Sequence, residues 1–137
     1  MERESAGISA TYERAERLAD LLELSYEPMI AWRLDGPIEF WNAGAERLYG
    51  YPAHEAVGRS SHELLQTTFP RDFLDVRSRL RAAGHWSGEL RHVCKDGREV
   101  VVGSRMQVLA DDTVLEVNRD VTEVKALIAR QAALLRE

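Results

Sequence analysis

A single cysteine, Cys94, stands in the 137 residues of this chain. One thiol makes neither an internal disulfide nor a thiolate zinc cage, and the sequence points to a reducing, cytoplasmic setting. No apolar run approaches membrane-spanning length, and the start, Met1-Glu2-Arg3-Glu4-Ser5, lacks the hydrophobic segment that directs export. Positive charge is in deficit: the formal net charge is -5, with Lys and Arg scattered among carboxylates. That excludes a basic face for phosphate and hence nucleic acid as a partner. Phosphate loops are missing too, because Gly44, Gly50 and Gly58 are too widely spaced to cradle a pyrophosphate. No motif sets a carboxylate pair, and no nucleophile elbow surrounds Ser60-Ser61-His62, so the chain alone is expected not to be an enzyme. His92 beside Cys94 supplies too few ligands for a metal.

With 45% hydrophobic residues the chain can bury one core. Apolar residues Ile8, Tyr12, Ala15, Leu18 and Leu22 recur at spacings of three and four, which predicts an amphipathic helix over Ser9 to Ser25, ended by Pro28. Met29 to Leu34 and Ile38 to Trp41 read as short strands around the turn Asp35-Gly36-Pro37. Asn42 caps a short helix closed by Gly50, Pro52 permits another through Ala56, and Ser60 to Gln66 forms a further turn of helix. Pro70 is expected to open a longer helix, with Phe73, Val76, Leu80 and Ala83 on one face and Gly84 as its stop. Trp86 to Val93, Glu99 to Leu109 and Thr113 to Asp120 then form an antiparallel meander, turning at Asp96-Gly97 and Asp111-Asp112. From Thr122, residues Val124, Ile128 and Leu135 continue near heptad spacing. The expected division is an N-terminal helix over 1–25, a core over 26–120 and a C-terminal helix over 121–137.

Period two sorts the strand residues. Val100, Val102, Ser104, Met106 and Val108 share one face, opposite Val101, Gly103, Arg105, Gln107 and Leu109. In the last strand Val114, Glu116, Asn118 and Asp120 oppose Leu115, Val117 and Arg119.

The run Phe40-Trp41-Asn42-Ala43-Gly44-Ala45-Glu46-Arg47-Leu48-Tyr49-Gly50-Tyr51, with Lys95-Asp96-Gly97-Arg98 and Arg119-Asp120-Val121-Thr122-Glu123, resembles a PAS domain over roughly Leu18 to Lys125. The resemblance implies an α+β fold: a five-stranded antiparallel sheet with short helices on one face and amphipathic helices flanking it. It also implies a small-molecule pocket on the concave face. Similarity to the flavin-binding LOV branch places His92, Val102 and Asn118 among polar pocket positions. On that basis Glu116 and Asn118 enter the pocket together with His92, Leu90 and Trp86. The candidate pocket residues are Leu64, Leu65, Trp86, Leu90, His92, Val102, Ser104, Met106, Glu116 and Asn118. A buried polar set of this kind must bond internally, hold water or bind something.

The same resemblance bears on cofactors. Arg59-Ser60-Ser61-His62 stands where LOV photochemistry needs a cysteine, which excludes photoadduct formation. The proximal His of haem-binding relatives is missing from the stretch Pro70 to Ala83, so haem is not expected. No cofactor is predicted, and an unidentified small molecule remains the candidate ligand. A core filled by Trp86, Met106 and Leu65, or a flavin bound without the cysteine, are the alternatives. Glu116 has a duller alternative of its own, pairing with Arg91, Arg105 or His62. An ion pair of Glu46 with Lys95 is implied by many relatives.

The terminal helices carry the functional expectation. Leu18, Leu22, Val124 and Ile128 are expected at a homodimer seam, the alternative being that the first helix folds over Leu115 and Val117. Asp120 and Thr122, by the resemblance, join the last strand to the exit helix and transmit the signal. Ser61 to Pro70 together with Leu115 to Asp120 are similar to PAS modules of bacterial sensor histidine kinases, notably the HWE type. An attached kinase is therefore the expected output, although PAS modules also precede cyclases, phosphodiesterases and transcription factors. Ending within a helix, the chain reads as a fragment of a longer protein.

Overall fold

The computed structural model describes residues 2–136. Met1 and Glu137, which fall in the expected terminal helices, and the Ile8 side chain lie outside the described residues. The chain runs α1 (Glu2–Leu24), β1 (Met29–Arg33), β2 (Ile38–Trp41), α2 (Ala43–Tyr49), α3 (Ala53–Ala56), α4 (Ser61–Leu64), α5 (Phe73–Ala83), β3 (His85–Val93), β4 (Glu99–Val108), β5 (Thr113–Asp120) and α6 (Thr122–Arg136). The five strands form one antiparallel sheet in the order β2-β1-β5-β4-β3. β5 therefore lies at its centre, between β1 and β4.

Two boundaries differ from the sequence reading by more than two residues. α1 begins at Glu2 rather than near Ser9, because Glu, Arg and Ala before Ser9 favour helix without supplying an apolar stripe. α5 begins at Phe73 rather than at Pro70: Asp72 is its cap, accepting from the Asp75 amide at 2.8 Å. Thr68, just before, is already bridged to Arg91 of β3, its amide donating to the Arg91 carbonyl at 2.9 Å.

The inner face of the sheet carries Trp86, Leu90 and His92 from β3, Val100, Val102, Ser104 and Met106 from β4, and Val114, Glu116 and Asn118 from β5, all buried. Leu115 and Val117 on the other face are half-buried, and Asp120 is exposed. Helices α2 to α5 cover the inner face with Ala45, Tyr49, Leu64, Leu65, Val76 and Leu80. Trp32, Trp41 and Trp86 all lie in this core.

α1 does not fold over Leu115 and Val117. From Ser9 to Leu24 its side chains are exposed apart from half-buried Leu22, and it meets the domain at α2. What holds its end is Asn42. The Oδ1 of Asn42 accepts from the Ala45 and Met29 amides, both at 2.9 Å, while Nδ2 donates to the carbonyls of Leu22 and Glu27, also at 2.9 Å. One buried side chain thus starts α2 and anchors the last turn of α1. Gly44 allows the close approach this requires, since a Cβ there would sit 2.6 Å from the Glu27 carbonyl oxygen.

Candidate functional site

β5 brings Glu116 and Asn118 to the centre of the inner face, two residues apart, and every polar contact they make is internal. Glu116 Oε1 accepts from Trp32 Nε1 at 2.9 Å, and Oε2 accepts from Asn118 Nδ2 at 2.7 Å. Asn118 Nδ2 also donates to the Tyr49 hydroxyl at 3.0 Å. That hydroxyl lies 2.7 Å from Nδ1 of His92. Taken with a neutral His92, the donors run in one direction: Asn118 donates to Tyr49, and Tyr49 donates to the unprotonated Nδ1. Three strands, β1, β3 and β5, and α2 are tied together by this chain of side chains.

Of the expected pairings for Glu116, none forms. Arg91 pairs with Glu99 at 3.2 Å, His62 meets Ser60 Oγ at 3.2 Å, and both oxygens of Glu116 take neutral N–H donors instead. The pair of Glu46 with Lys95 is likewise replaced. Lys95 reaches Glu55 at 2.8 Å, because Glu46 Oε1 already accepts from the Ala53 amide at 2.7 Å and so starts α3.

Trp32 and Tyr49 are members of the cluster that sequence reasoning missed. Trp32 follows a bulge in the pairing of β1 with β2, between Ala31 and Trp32, which strict alternation does not reveal. Tyr49 is aimed by the end of α2, where Gly50 takes the left-handed conformation at φ 82. Two buried polar atoms, Ser104 Oγ and Asn118 Oδ1, have no partner among the described residues.

Beside the cluster is a void of about 10 Å³, bounded by Glu116, His92, Leu90, Met106, Leu65 and Trp32 and closed by His62, Phe69 and Phe73. A space of that size holds at most one water. Leu64, Trp86, Val102, Ser104 and Asn118 share the buried core without lining this void. His62 stacks on Phe73 with ring centroids 4.4 Å apart, and Phe69 meets Phe73 at 5.6 Å. Outside that aromatic layer lies a groove of about 370 Å³, which shares Trp32, His62 and Phe73 with the void. Among the described residues no group of three or more His, Cys, Asp and Glu is placed to hold a metal ion.

Burial sets the protonation of the cluster. It pushes the Glu116 carboxyl above its ordinary 4.5, only partly offset by the N–H groups of Asn118 and Trp32. It lowers His92 from 6.5 to about 4. Burial, helped by the negative charge on Glu116, raises Tyr49 well above 10.0. The signs oppose each other. The Glu116 contribution to stability is complete below 4.5 and is lost as pH rises through its raised pKa. The His92 contribution is complete above 6.5 and is lost as pH falls towards 4. Removing the first by Glu116→Gln should leave the second uncompensated. Relative to the parent, the variant is expected to lose stability on acidification by about 1 kcal/mol per pH unit, read from urea unfolding at a series of pH values. A constant difference between the two proteins would contradict this.

The exit from β5 is also fixed. Val121 donates its amide to the Val101 carbonyl at 2.9 Å, and Val101 returns its own amide to Thr122 Oγ1 at 2.9 Å. Asp120 Oδ1 accepts from the Thr122 amide at 3.0 Å and from its hydroxyl at 2.6 Å. Lys125, one turn into α6, pairs with Glu89 of β3. The first turn of α6 is therefore bonded to β3 and β4, two of the strands that carry the inner face. Beyond it the helix leaves the domain with Val124, Leu127, Ile128, Leu134 and Leu135 exposed.

A family model described as PAS fold matches residues 16–121. No curated protein matches the chain. Among solved structures, a PAS domain from Colwellia psychrerythraea is 27% identical, with a TM-score of 0.68 over 80% of this chain and 98% of that one. The PAS domain of an HTR-like protein from Haloarcula marismortui is 26% identical, with a TM-score of 0.65 over 80% and 98% of the two chains. A domain of a sensory box sensor histidine kinase/response regulator from Geobacter sulfurreducens is 16% identical, with a TM-score of 0.67 over 80% of this chain and 96% of that one.

Proposed function

The chain belongs to the PAS family, and on that premise we propose that it is a sensory module that pairs with a second copy and passes a change in its core to an attached output domain, a histidine kinase. The observation that carries this is the continuity of β5: Glu116 and Asn118 lie in the buried cluster, and four residues after Asn118 the same strand has become α6. A change in the bonding of Glu116 moves β5 against β4, and the Val101–Thr122 bonds convey that shift to the base of α6. The kinase output rests on likeness to sensor kinase modules and on a helical exit suited to a coiled coil.

Dimerisation is the part of the proposal most directly tested. α1 exposes Tyr12, Leu18, Leu21 and Leu24, and α6 exposes Val124, Leu127 and Ile128, so both terminal helices present apolar side chains that the domain itself leaves uncovered. Replacing both Val124 and Ile128 by Asp is expected to weaken self-association about tenfold or more in sedimentation equilibrium, with the core melting as before. Unaltered association would remove α6 from the seam.

A second reading is favoured by one observation, the small size of the void. At about 10 Å³ the closed core is filled by its own side chains, so the domain in this state is an interaction module whose pocket opens only on a stimulus. We propose that no flavin or haem is resident in that state, and purified protein is expected to be colourless. Visible absorbance that persists through purification would contradict this part of the proposal.

A further inference from the structure

We propose that the space between Glu116 and the aromatic layer is a binding site for a small organic ammonium ion, reached through the groove outside His62 and Phe73. This names the ligand class for the sensory reading above and rests on it.

Glu116 is 4% exposed, and both its oxygens accept N–H bonds, which suits a carboxylate, yet no Lys or Arg pairs with it. A buried anion is stable when a cation answers it and costly when none does. His92 does not answer it, since its Nδ1 takes the Tyr49 hydroxyl. Burial favours a proton on this carboxyl, and a positive group brought from outside is what could take that proton's place.

Aromatic rings line the same space. Trp32, Phe69 and Phe73 form one connected set, with Trp32 and Phe73 centroids 6.2 Å apart, and all three border the void that Glu116 borders. Aromatic faces attract cations, most strongly where both are withdrawn from water. A carboxylate together with indole and phenyl rings around one space is a cage for alkylated ammonium. Neutral ligands gain the apolar contact alone.

The void is too small for such an ion in the closed state, so the aromatic layer must part. Phe69 and Phe73 are only half-buried, and Phe73 lines the outer groove together with Asp35, Glu63 and Arg77. Swinging Phe73 and His62 aside joins the two spaces without moving the sheet.

Ion binding needs the charged carboxylate, so it must displace the proton that burial favours. The other titratable groups facing Glu116 are Tyr49 on α2, His62 on α4 and His92 on β3. Tyr49 and His92 stay neutral at pH 7 by virtue of burial.

Calorimetric titration with tetramethylammonium chloride, against tert-butanol as an uncharged probe of similar size, tests the proposal. Saturable binding of the ion is expected, about tenfold or more tighter than the alcohol, with a proton release to the buffer that grows as the pH is lowered. Glu116→Gln should abolish the preference for the ion. If that variant does not fold, Phe73→Leu serves instead and should weaken the ion while sparing the alcohol. Equal binding of the two probes, an undiminished preference in Glu116→Gln or Phe73→Leu, or no binding at all would overturn the proposal. Failure here with α6 still responding to the titration of Glu116 leaves the sensory reading standing; loss of both removes both.

Discussion

Asn42→Ala is expected to lose about 3 to 4 kcal/mol of stability and to release α1 from the domain. Loss of the N-cap contributes about 1 kcal/mol, and each of the Met29, Leu22 and Glu27 groups left without its partner about 1 kcal/mol, the low end of the range because these residues are half-buried or exposed. Asn42 is fully buried and serves four backbone groups: the amides of Met29 and Ala45 and the carbonyls of Leu22 and Glu27. Asn42→Asp separates its two roles. It keeps the oxygen that caps α2 but faces the two carbonyls with a carboxylate, so the core should fold while the segment after Leu24 exchanges amide hydrogens rapidly. Urea unfolding followed by circular dichroism and hydrogen exchange of residues 22–29 check the two outcomes. An alanine variant that unfolds with the parent would show that the anchor of α1 lies elsewhere.

Trp41→Ala is expected to cost about 4 kcal/mol, the range for deleting a large aromatic side chain from a core. Trp41 is 1% exposed, and its ring lies 5.5 Å from that of Tyr49. Its Nε1 donates to the Tyr51 carbonyl at 2.8 Å, which pins the chain just after α2. The functional consequence comes through Tyr49. Without Trp41 the hydroxyl is no longer held against His92 and Asn118, and water reaches the cluster. His92 should then titrate nearer its ordinary 6.5 than the value of about 4 that burial imposes. Trp41→Phe, which keeps most of the packing and loses the N–H bond, should cost about 1 to 2 kcal/mol. Imidazole titration by NMR alongside thermal melts reads both effects. An unshifted His92 in the destabilised variant would mean that the cluster is held without Trp41.

Much of this frame was legible because simple periodicities decide it. Alternation along β4 and β5 sorted Val102, Ser104 and Met106 onto one face of their strand and Glu116 and Asn118 onto one face of theirs, the family resemblance turned both towards the core, and all five are buried. Asn42 and Gly50 marked the ends of α2 through capping chemistry that depends only on local backbone. Pro70 misled, and Asp72 went unread: proline tolerates a helix start, but a side-chain acceptor for the free amides defines one. The partners of Glu116 and Lys95 were illegible for a different reason. Each is chosen among groups distant in sequence, and Glu46 was already engaged by a backbone amide that no charge pattern shows. The size of the void was also hidden, since it depends on how Phe69, Phe73 and His62 settle against one another.

The account stands on the coupling of Glu116 to the first turn of α6. A pH titration of the labelled domain by NMR, following the Glu116 carboxyl carbon together with the Val101, Val121 and Thr122 amides, tests it most directly. The prediction is one shared midpoint, above 4.5, for the carboxyl and all three amides, and its disappearance in Glu116→Gln. Amides that stay still through that titration, or that shift equally in the variant, would contradict it.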